Sequence, residues 1–231
     1  MKLNDNIINL PTPEDSLHPV TRALIEAGSD KFHRHRYDIA YAHLLADIRQ
    51  DANIFEIGVY KGFSHNAWRK LRPDAWMTGL DIKRRPPTLH ESVRHYQGDQ
   101  GDREMVERIC EERGPFDFII DDGSHTMRHQ KDCYVWLWPH LTVGGWYVCE
   151  DLHTSELIER NDDMRKRFNP DGEEQTAMDF FLDDARQRSR RRGERDDETG
   201  KSTLYPDRMH LFFTAMVAIK KLHDGAVKVW P

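Results

Sequence analysis

Two kinds of hydrophobic pattern alternate along the chain. Short, mostly apolar runs that end at a polar residue are typical of strands, and the segments between them repeat apolar residues every three or four positions, as helices do. Strands that alternate with helices form a largely parallel sheet covered on both faces. The sequence therefore predicts an α/β fold with a doubly wound, mostly parallel seven-stranded sheet, whose strands are expected at 54–57, 76–80, 93–97, 116–120, 146–149, 209–219 and 226–230.

The regions outside this alternation are predicted to be helical, within a single domain that spans 1–231. The N-terminal segment 1–50 shows helical spacing over Pro19–Ala27 and Tyr37–Ile48. A turn signal at 223–225 joins the last two strands and makes the closing strand antiparallel.

A helical and charged insertion is expected at 152–208, with helices at Glu156–Arg167 and Gln175–Ala185. The charged run that follows, Arg186–Thr199, has basic and acidic residues that cancel. This run is predicted to be a mobile, solvated loop beside the active-site mouth, acting as a lid or a flank. The alternative, a nucleic-acid patch at Arg190–Arg192, lacks interleaved aromatic residues.

Composition narrows the possible partners. The 231 residues carry 34 basic and 40 acidic side chains, a formal net charge of −6, which argues against a broad nucleic-acid footprint. No apolar stretch is long enough to cross a bilayer, and the N-terminus lacks the apolar region of a signal peptide. Cys110, Cys133 and Cys149 share no metal-ligand spacing, so they are expected as buried thiols in a reducing cytoplasm.

A glycine-punctuated turn follows the first predicted strand. Gly58 permits a backbone conformation that is closed to other residues, and Gly62 lets the next helix start close to a ligand. Tyr60 stands where a dinucleotide site would need its second glycine, and Glu56 precedes the turn. The stretch fits E-x-G-x-x-x-G, the first motif of S-adenosylmethionine-dependent enzymes. A tight turn without a ligand remains the alternative.

Acids at the ends of the next two strands suit the rest of such a cofactor. Asp81 follows Gly58 by 23 positions, near the spacing at which an acid accepts hydrogen bonds from ribose hydroxyls. Asp99 and Gln100 lie in the loop after the third strand, where an adenine amino group would be read. Asp81 could otherwise be a solvated loop acid.

Two further acids lie just past strands that are expected to be neighbours. Asp122 and Asp151 would meet at the carboxyl edge of the sheet, where ligands bind in open α/β folds. Paired carboxylates suit Mg²⁺, and His125 would overhang the same crevice as a general base. Singly, Asp122 could start the turn at Gly123, Asp151 could cap a helix, and His125 could be a surface residue.

Together these motifs resemble the class I S-adenosylmethionine-dependent methyltransferases. The similarity is most specific to the Mg²⁺-dependent sugar O-methyltransferases of macrolide biosynthesis, the mycinamicin and tylosin type, and covers about residues 29 to 221. The motifs that carry it are 29–31, 56–62, 98–100, 121–125, 139–141 with 144–145, 150–155 and His210.

The resemblance implies the following roles. Asp122 and Asp151 would ligate Mg²⁺, and His125 would be the general base. Residues implied at the S-adenosylmethionine site are Lys31, Glu56, Gly58, Tyr60, Gly62, Asp81, Asp99, Gln100 and Asp121. Two departures matter: Ala42 stands where the family has a further acid, and the separate N-terminal domain of some members is not expected here.

The expected function is Mg²⁺-assisted methylation of a hydroxyl on a sugar or glycosylated natural product in the cytoplasm. The partner is then a small-molecule hydroxyl acceptor, with no nucleic acid or membrane, and a homo-oligomer is possible. A catechol or small-phenol O-methyltransferase is the first alternative, and a non-catalytic S-adenosylmethionine-binding homologue is the second. An NAD-dependent oxidoreductase would need the missing glycine, and an amino-directed nucleic-acid methyltransferase would need an Asn/Asp-Pro-Pro-aromatic motif.

Overall fold

The computed structural model of the protein describes residues 17–33, 35–190, 208–212 and 216–221. A seven-stranded sheet runs through these residues in the order β3-β2-β1-β4-β5-β7-β6. Its strands are β1 Asn53–Ile57, β2 Trp76–Asp81, β3 Arg94–Gln97, β4 Phe116–Asp121, β5 Leu141–Cys149, β6 Arg208–Phe212 and β7 Met216–Lys220.

The direction of the strands confirms the predicted fold class. β1 to β5 pair with one another in parallel, and β7 is antiparallel to both β5 and β6. The carboxyl ends of β1, β2, β4 and β5 consequently meet at one edge, with Ile57 opposite both Leu80 and Asp121, and Asp121 opposite Cys149.

Helices cover both faces of the sheet. They are α1 Pro19–Ala27, α2 Asp30–His33, α3 Asp38–Ala46, α4 Phe63–Leu71, α5 Arg103–Arg113, α6 Met127–Leu137, α7 Thr154–Arg160, α8 Asp162–Phe168 and α9 Ala177–Arg190. The sheet separates two hydrophobic cores. Alternate residues of a strand pack in one core or the other, because successive side chains point to opposite faces. Ile54 packs in the core that contains Tyr41 and Trp68, whereas Phe55 packs in the core that contains Tyr134.

Local signals fix the helix ends. Asp102 caps α5 by accepting a hydrogen bond from the Met105 amide. α4 ends at Leu71, before Pro73. The three cysteines are buried free thiols, as expected.

Four elements depart from the sequence prediction by more than two residues. The strand expected at 209–219 is two antiparallel strands, β6 and β7, and the one expected at 226–230 lies outside the described residues. β5 begins at Leu141, not at Trp146, because Gly144 and Gly145 continue the strand through a register shift.

The other two differences lie in the insertion. The helix expected at Glu156–Arg167 is broken at Asn161, whose side chain accepts from the Met164 amide and starts α8. α9 continues to Arg190, so the loop expected at Arg186–Thr199 is wrong for residues 186–190, and residues 191–207 are outside the described ranges. No helix in the described part of the chain is long and apolar enough to cross a membrane.

Candidate active site

A cavity of about 640 Å³ opens at the carboxyl edge of the sheet. The loops after β1, β2, β3, β4 and β5 all contribute to its wall, together with residues 28–31 and His35. Ligands bind at this edge in open α/β sheets. Of the predicted site residues, those that line the cavity are Lys31, Gly58, Tyr60, Asp81, Asp99, Gln100, Asp122, His125 and Asp151.

The loop after β1 is pressed against the loop after β4. Gly58 has φ +90°, and its amide donates to the Leu80 carbonyl at 2.8 Å. A Cβ at this position would lie 2.0 Å from the carbonyl oxygen of Asp122. Glycine at 58 is therefore required both by its φ value and by the close approach of the two loops.

Gly58→Ala is expected to destabilise the protein more than Gly144→Ala. Both glycines have φ +90°, but none of the described residues lies within 4 Å of a Cβ at Gly144. The left-handed backbone alone costs roughly 1–2 kcal/mol, and only Gly58→Ala adds a backbone clash. Urea unfolding of the two variants measures the difference, and equal losses would contradict the contact between the loops.

Two backbone amides, one from the loop after β1 and one from the loop after β2, hold the Asp81 carboxylate. Its carboxylate accepts from the Tyr60 amide at 2.6 Å and from the Lys83 amide at 2.8 Å. Tyr60 itself is 59% exposed and has φ +48°. Asp81 is thus an oriented acceptor on the cavity wall, as a ribose-binding acid would be.

Glu56 and Gly62 lie behind the loop rather than on the cavity wall. Glu56 is fully buried and accepts from the Ser64 hydroxyl at 2.6 Å and the Trp68 indole at 3.1 Å, which ties β1 to α4. A Cβ on Gly62 would lie 2.9 Å from Leu89. The structure thus gives both residues a role in shaping the loop.

Asp121 also points away from the cavity. Its buried carboxyl accepts from the Gln100 amide and the Tyr147 hydroxyl, each at 3.2 Å. Gln100 in turn accepts from the Ser124 amide at 2.6 Å, and Asp99 accepts from the Gly101 amide at 2.9 Å. Asp121 therefore orients Gln100, which does line the cavity.

Burial of Asp121 predicts a pH-dependent stability. Burial raises the pKa of its carboxyl to about 6, against the opposing effects of His125, Gln100 and Tyr147. The folded protein keeps a proton that the unfolded chain has lost, so the free energy of unfolding should fall as pH rises from about 4 to 6, by roughly 3 kcal/mol. Asparagine does not titrate, so the Asp121→Asn variant should not show this fall in the free energy of unfolding. Urea unfolding at pH 4 and pH 7 should show the variant gaining relative to the parent at the higher pH, and a constant difference would contradict the prediction.

Asp122, His125 and Asp151 come together at the cavity. One ligand atom from each residue lies within 4.8 Å of the others, and His125 Nε2 is 3.7 Å from Asp151 Oδ2. Among the residues that the structure describes, the buried Nδ1 of His125 has no hydrogen-bond partner. The two carboxylates beside an open cavity fit a hard divalent cation that keeps several water ligands.

A buried lysine supports the first of these carboxylates. Lys31 Nζ lies 2.6 Å from both Asp122 Oδ2 and Glu150 Oε1, and 3.6 Å from Glu56. Burial alone would lower the pKa of Lys31, but the three carboxylates hold it well above its usual range. For the Asp122 carboxyl, burial has the opposite effect: it raises the pKa even though the Lys31 charge lowers it.

Asp151 lies in a cluster of histidines and a tyrosine. The Tyr37 hydroxyl donates to Asp151 Oδ1 at 2.9 Å, and the imidazoles of His35 and His153 approach within 3.7 and 3.9 Å. Burial favours the neutral acid, but His125, His35 and Tyr37 outweigh it and lower the pKa of Asp151. Asp151 is therefore held as a carboxylate.

Both His125 and Asp151 have strained backbones. Their φ values are +58° and +57°, in the left-handed region that non-glycine residues rarely occupy. Such strain costs of order 1–3 kcal/mol per residue and is concentrated at functional sites. The loops after β4 and β5 thus keep an unfavourable conformation that turns these two side chains toward each other.

A protein-family comparison matches this region. Residues 55–152, from β1 to the loop after β5, match the family model described as a methyltransferase domain.

Several curated relatives and solved structures are similar to this chain. Mycinamicin VI 2''-O-methyltransferase of Micromonospora griseorubida is 40% identical over 113 residues, which cover 46% of this chain and 28% of the relative. L-olivosyl-oleandolide 3-O-methyltransferase of Streptomyces antibioticus is 35% identical over 146 residues, 59% of this chain and 38% of the relative.

The fold is also that of a solved methyltransferase of the mycinamycin biosynthetic pathway, in complex with Mg and SAH. The two share a TM-score of 0.73 and 26% identity over 92% of this chain and 57% of that one. The chain therefore matches about a third of the length of these curated relatives and somewhat over half of the solved structure.

Sequence reasoning missed several residues that complete the candidate site. Glu150 has no predicted role, yet it shares the Lys31 ammonium with Asp122. Tyr37 is predicted only as the start of a helix and His35 has no predicted role, although both contact Asp151. The available signal for Glu150 was a carboxylate at the buried end of an apolar strand, because such a group needs a buried partner.

Proposed function

We propose that this chain is an S-adenosylmethionine-dependent O-methyltransferase that acts, with Mg²⁺, on a hydroxyl of a sugar moiety or glycosylated natural product. The observation that carries the proposal is the convergence of Asp122, Asp151 and His125 within 4.8 Å at one edge of the cavity. The relatives named above act, by their names, on glycosylated macrolide or related acceptors, which supports this class of acceptor.

The cofactor would occupy the part of the cavity next to the loops after β1, β2 and β3. Asp81 is oriented there by the Tyr60 and Lys83 amides, with lone pairs left for ribose hydroxyls. Asp99 and Gln100 line the same wall and offer polar groups to an adenine. S-adenosylmethionine supplies an activated methyl group on a sulfonium, so the protein needs mainly to align the acceptor and deprotonate it.

Alignment would come from the carboxylate end of the cavity. Asp122 and Asp151 would hold Mg²⁺, and the bound ion would lower the pKa of an acceptor hydroxyl. Lys31 occupies one oxygen of Asp122, and Tyr37 donates to one oxygen of Asp151, so each carboxylate keeps a fixed direction. Holding reactants in the correct geometry can contribute several kcal/mol to the rate.

Deprotonation would fall to His125. Its imidazole lines the cavity, and its Nε2 lies 3.7 Å from Asp151 Oδ2. A neutral imidazole accepts a proton from a nearby hydroxyl. The carboxylate of Asp151 would then stabilise the imidazolium that forms.

Calorimetric titration with S-adenosylhomocysteine, in the presence and absence of Mg²⁺ and with NAD as the control, tests the cofactor. We expect S-adenosylhomocysteine to bind and NAD not to bind. Methyl transfer would then be measured on a panel of glycosides, catechols and simple phenols. Metal-dependent transfer to glycosides supports the proposal, whereas transfer confined to catechols would replace the acceptor class. Binding without transfer to any acceptor would indicate a non-catalytic homologue, and failure to bind the cofactor product would overturn the proposal.

A further inference from the structure

Thr154 bridges the strained backbones of His125 and Asp151. It is the first residue of α7, and its hydroxyl lies 3.2 Å from the carbonyl oxygen of His125 and 3.0 Å from that of Asp151. The side chain is almost fully buried, with 2% of its surface exposed. One small hydroxyl therefore contacts the backbone of both left-handed residues, which lie in different loops.

These contacts help to hold the strained left-handed backbones of His125 and Asp151. A non-glycine residue stays in the left-handed region only when its surroundings hold it there. Asp151 is held further by the Thr154 amide, which donates to its carbonyl at 3.1 Å, and by the Tyr37 hydroxyl, which accepts from its amide at 3.4 Å. The Thr154 hydroxyl links this restrained backbone to that of His125.

We propose that Thr154 is a positioning residue, whose hydroxyl bridges the His125 and Asp151 carbonyls and so sets the spacing between the imidazole and the metal-binding carboxylate. The inference rests on the proposed function, because it assigns Thr154 a role in that site. Thr154 does not touch the reacting atoms. Its effect passes through the backbone of the two loops, much as outer-sphere partners orient metal ligands.

Valine at position 154 tests the role of the hydroxyl most directly. Thr154→Val keeps the branched shape and removes only the hydroxyl, and Thr154→Ser keeps the hydroxyl and removes the methyl group. The chain offers a matched control in Thr78, which is also fully buried but whose hydroxyl bonds to none of the residues in the described ranges. Thr78→Val makes the same chemical change away from the cavity.

The experiment titrates each purified variant with Mn²⁺, followed by electron paramagnetic resonance, and with S-adenosylhomocysteine, followed by calorimetry. Thr154→Val is expected to weaken Mn²⁺ binding by roughly 10–100-fold and to leave the affinity for S-adenosylhomocysteine unchanged. Thr154→Ser should restore Mn²⁺ binding, and Thr78→Val should bind as the parent does. Thermal melting accompanies each titration. If Thr154→Val does not fold, Thr154→Cys, with its weak donor, replaces it.

Each outcome decides one question. Unchanged Mn²⁺ affinity in the folded Thr154 variant would overturn the positioning role while leaving the proposed function intact. Equal losses of Mn²⁺ and S-adenosylhomocysteine affinity, or failure of serine to restore binding, would indicate general damage and also overturn it. If the parent protein binds S-adenosylhomocysteine but no Mn²⁺, the metal part of the proposed function fails first, and the positioning role falls with it.

Discussion

His125→Ala is expected to lower turnover by a factor of roughly 10²–10⁴, the usual contribution of a general base, with no change in the affinity for S-adenosylhomocysteine. The physical reason is geometric. His125 lines the cavity beside Asp122 and Asp151, whereas the oriented acid proposed for the ribose, Asp81, lies on the opposite loop after β2. Single-turnover rates and calorimetry on the same preparation separate the two effects.

Other histidines provide the controls for this prediction. His90 is exposed and bonded to Ser92, so His90→Ala should leave turnover unchanged. His35 and His153 also lie within 4 Å of Asp151, at 3.7 and 3.9 Å. If His35→Ala or His153→Ala abolished turnover while His125→Ala retained it, the base would have to be reassigned.

The order of strands and helices could be predicted from the sequence because each element has a simple local pattern of apolar residues. Strand β4 is a nearly continuous apolar run, as a strand buried on both faces should be. The position of Asp122 and Asp151 followed from topology, since both come after parallel strands. These predictions needed only periodicity and the rule that ligands bind at the carboxyl edge.

The boundaries that failed depend on contacts between distant residues. Gly144 and Gly145 look like a turn, yet they continue β5 because Phe116 pairs with Leu141 across the register shift. The break at Asn161 also resisted prediction, because asparagine serves equally well inside a polar helix segment and as a cap. In both cases the neighbouring element selects between two acceptable local conformations.

The charge network behind the site was hidden for a similar reason. Lys31 precedes Glu150 by 119 positions, and the sequence cannot show that their side chains meet at 2.6 Å. Resemblance placed Lys31 near the cofactor, but its ammonium contacts carboxylates. Glu56 was expected at the cofactor and instead ties β1 to α4. Burial of several carboxylates around one lysine is costly unless further hydrogen bonds compensate, and only the structure reveals these compensating partners.

Asp151→Asn is expected to remove metal dependence together with activity. Asp151 is held as a carboxylate by His125, His35 and Tyr37, so the amide would lose its charge while keeping its shape. Mg²⁺ affinity should fall by at least the roughly 10–100-fold that loss of an outer-sphere partner costs. Asp122→Asn should act in the same direction, and it also removes one of the two carboxylates at 2.6 Å from Lys31, so a lower melting temperature should accompany it.

The control for these variants is Asp74→Asn, at an exposed position in the turn between α4 and β2, which should bind Mg²⁺ as the parent does. The parent enzyme should lose turnover in excess chelator and regain it on addition of Mg²⁺. The two treatments must agree, because both remove the same ion from the same pair of carboxylates. Turnover that survived the chelator, or an Asp151→Asn variant with unchanged Mg²⁺ affinity, would show that Asp122 and Asp151 meet at the sheet edge for a reason other than metal binding.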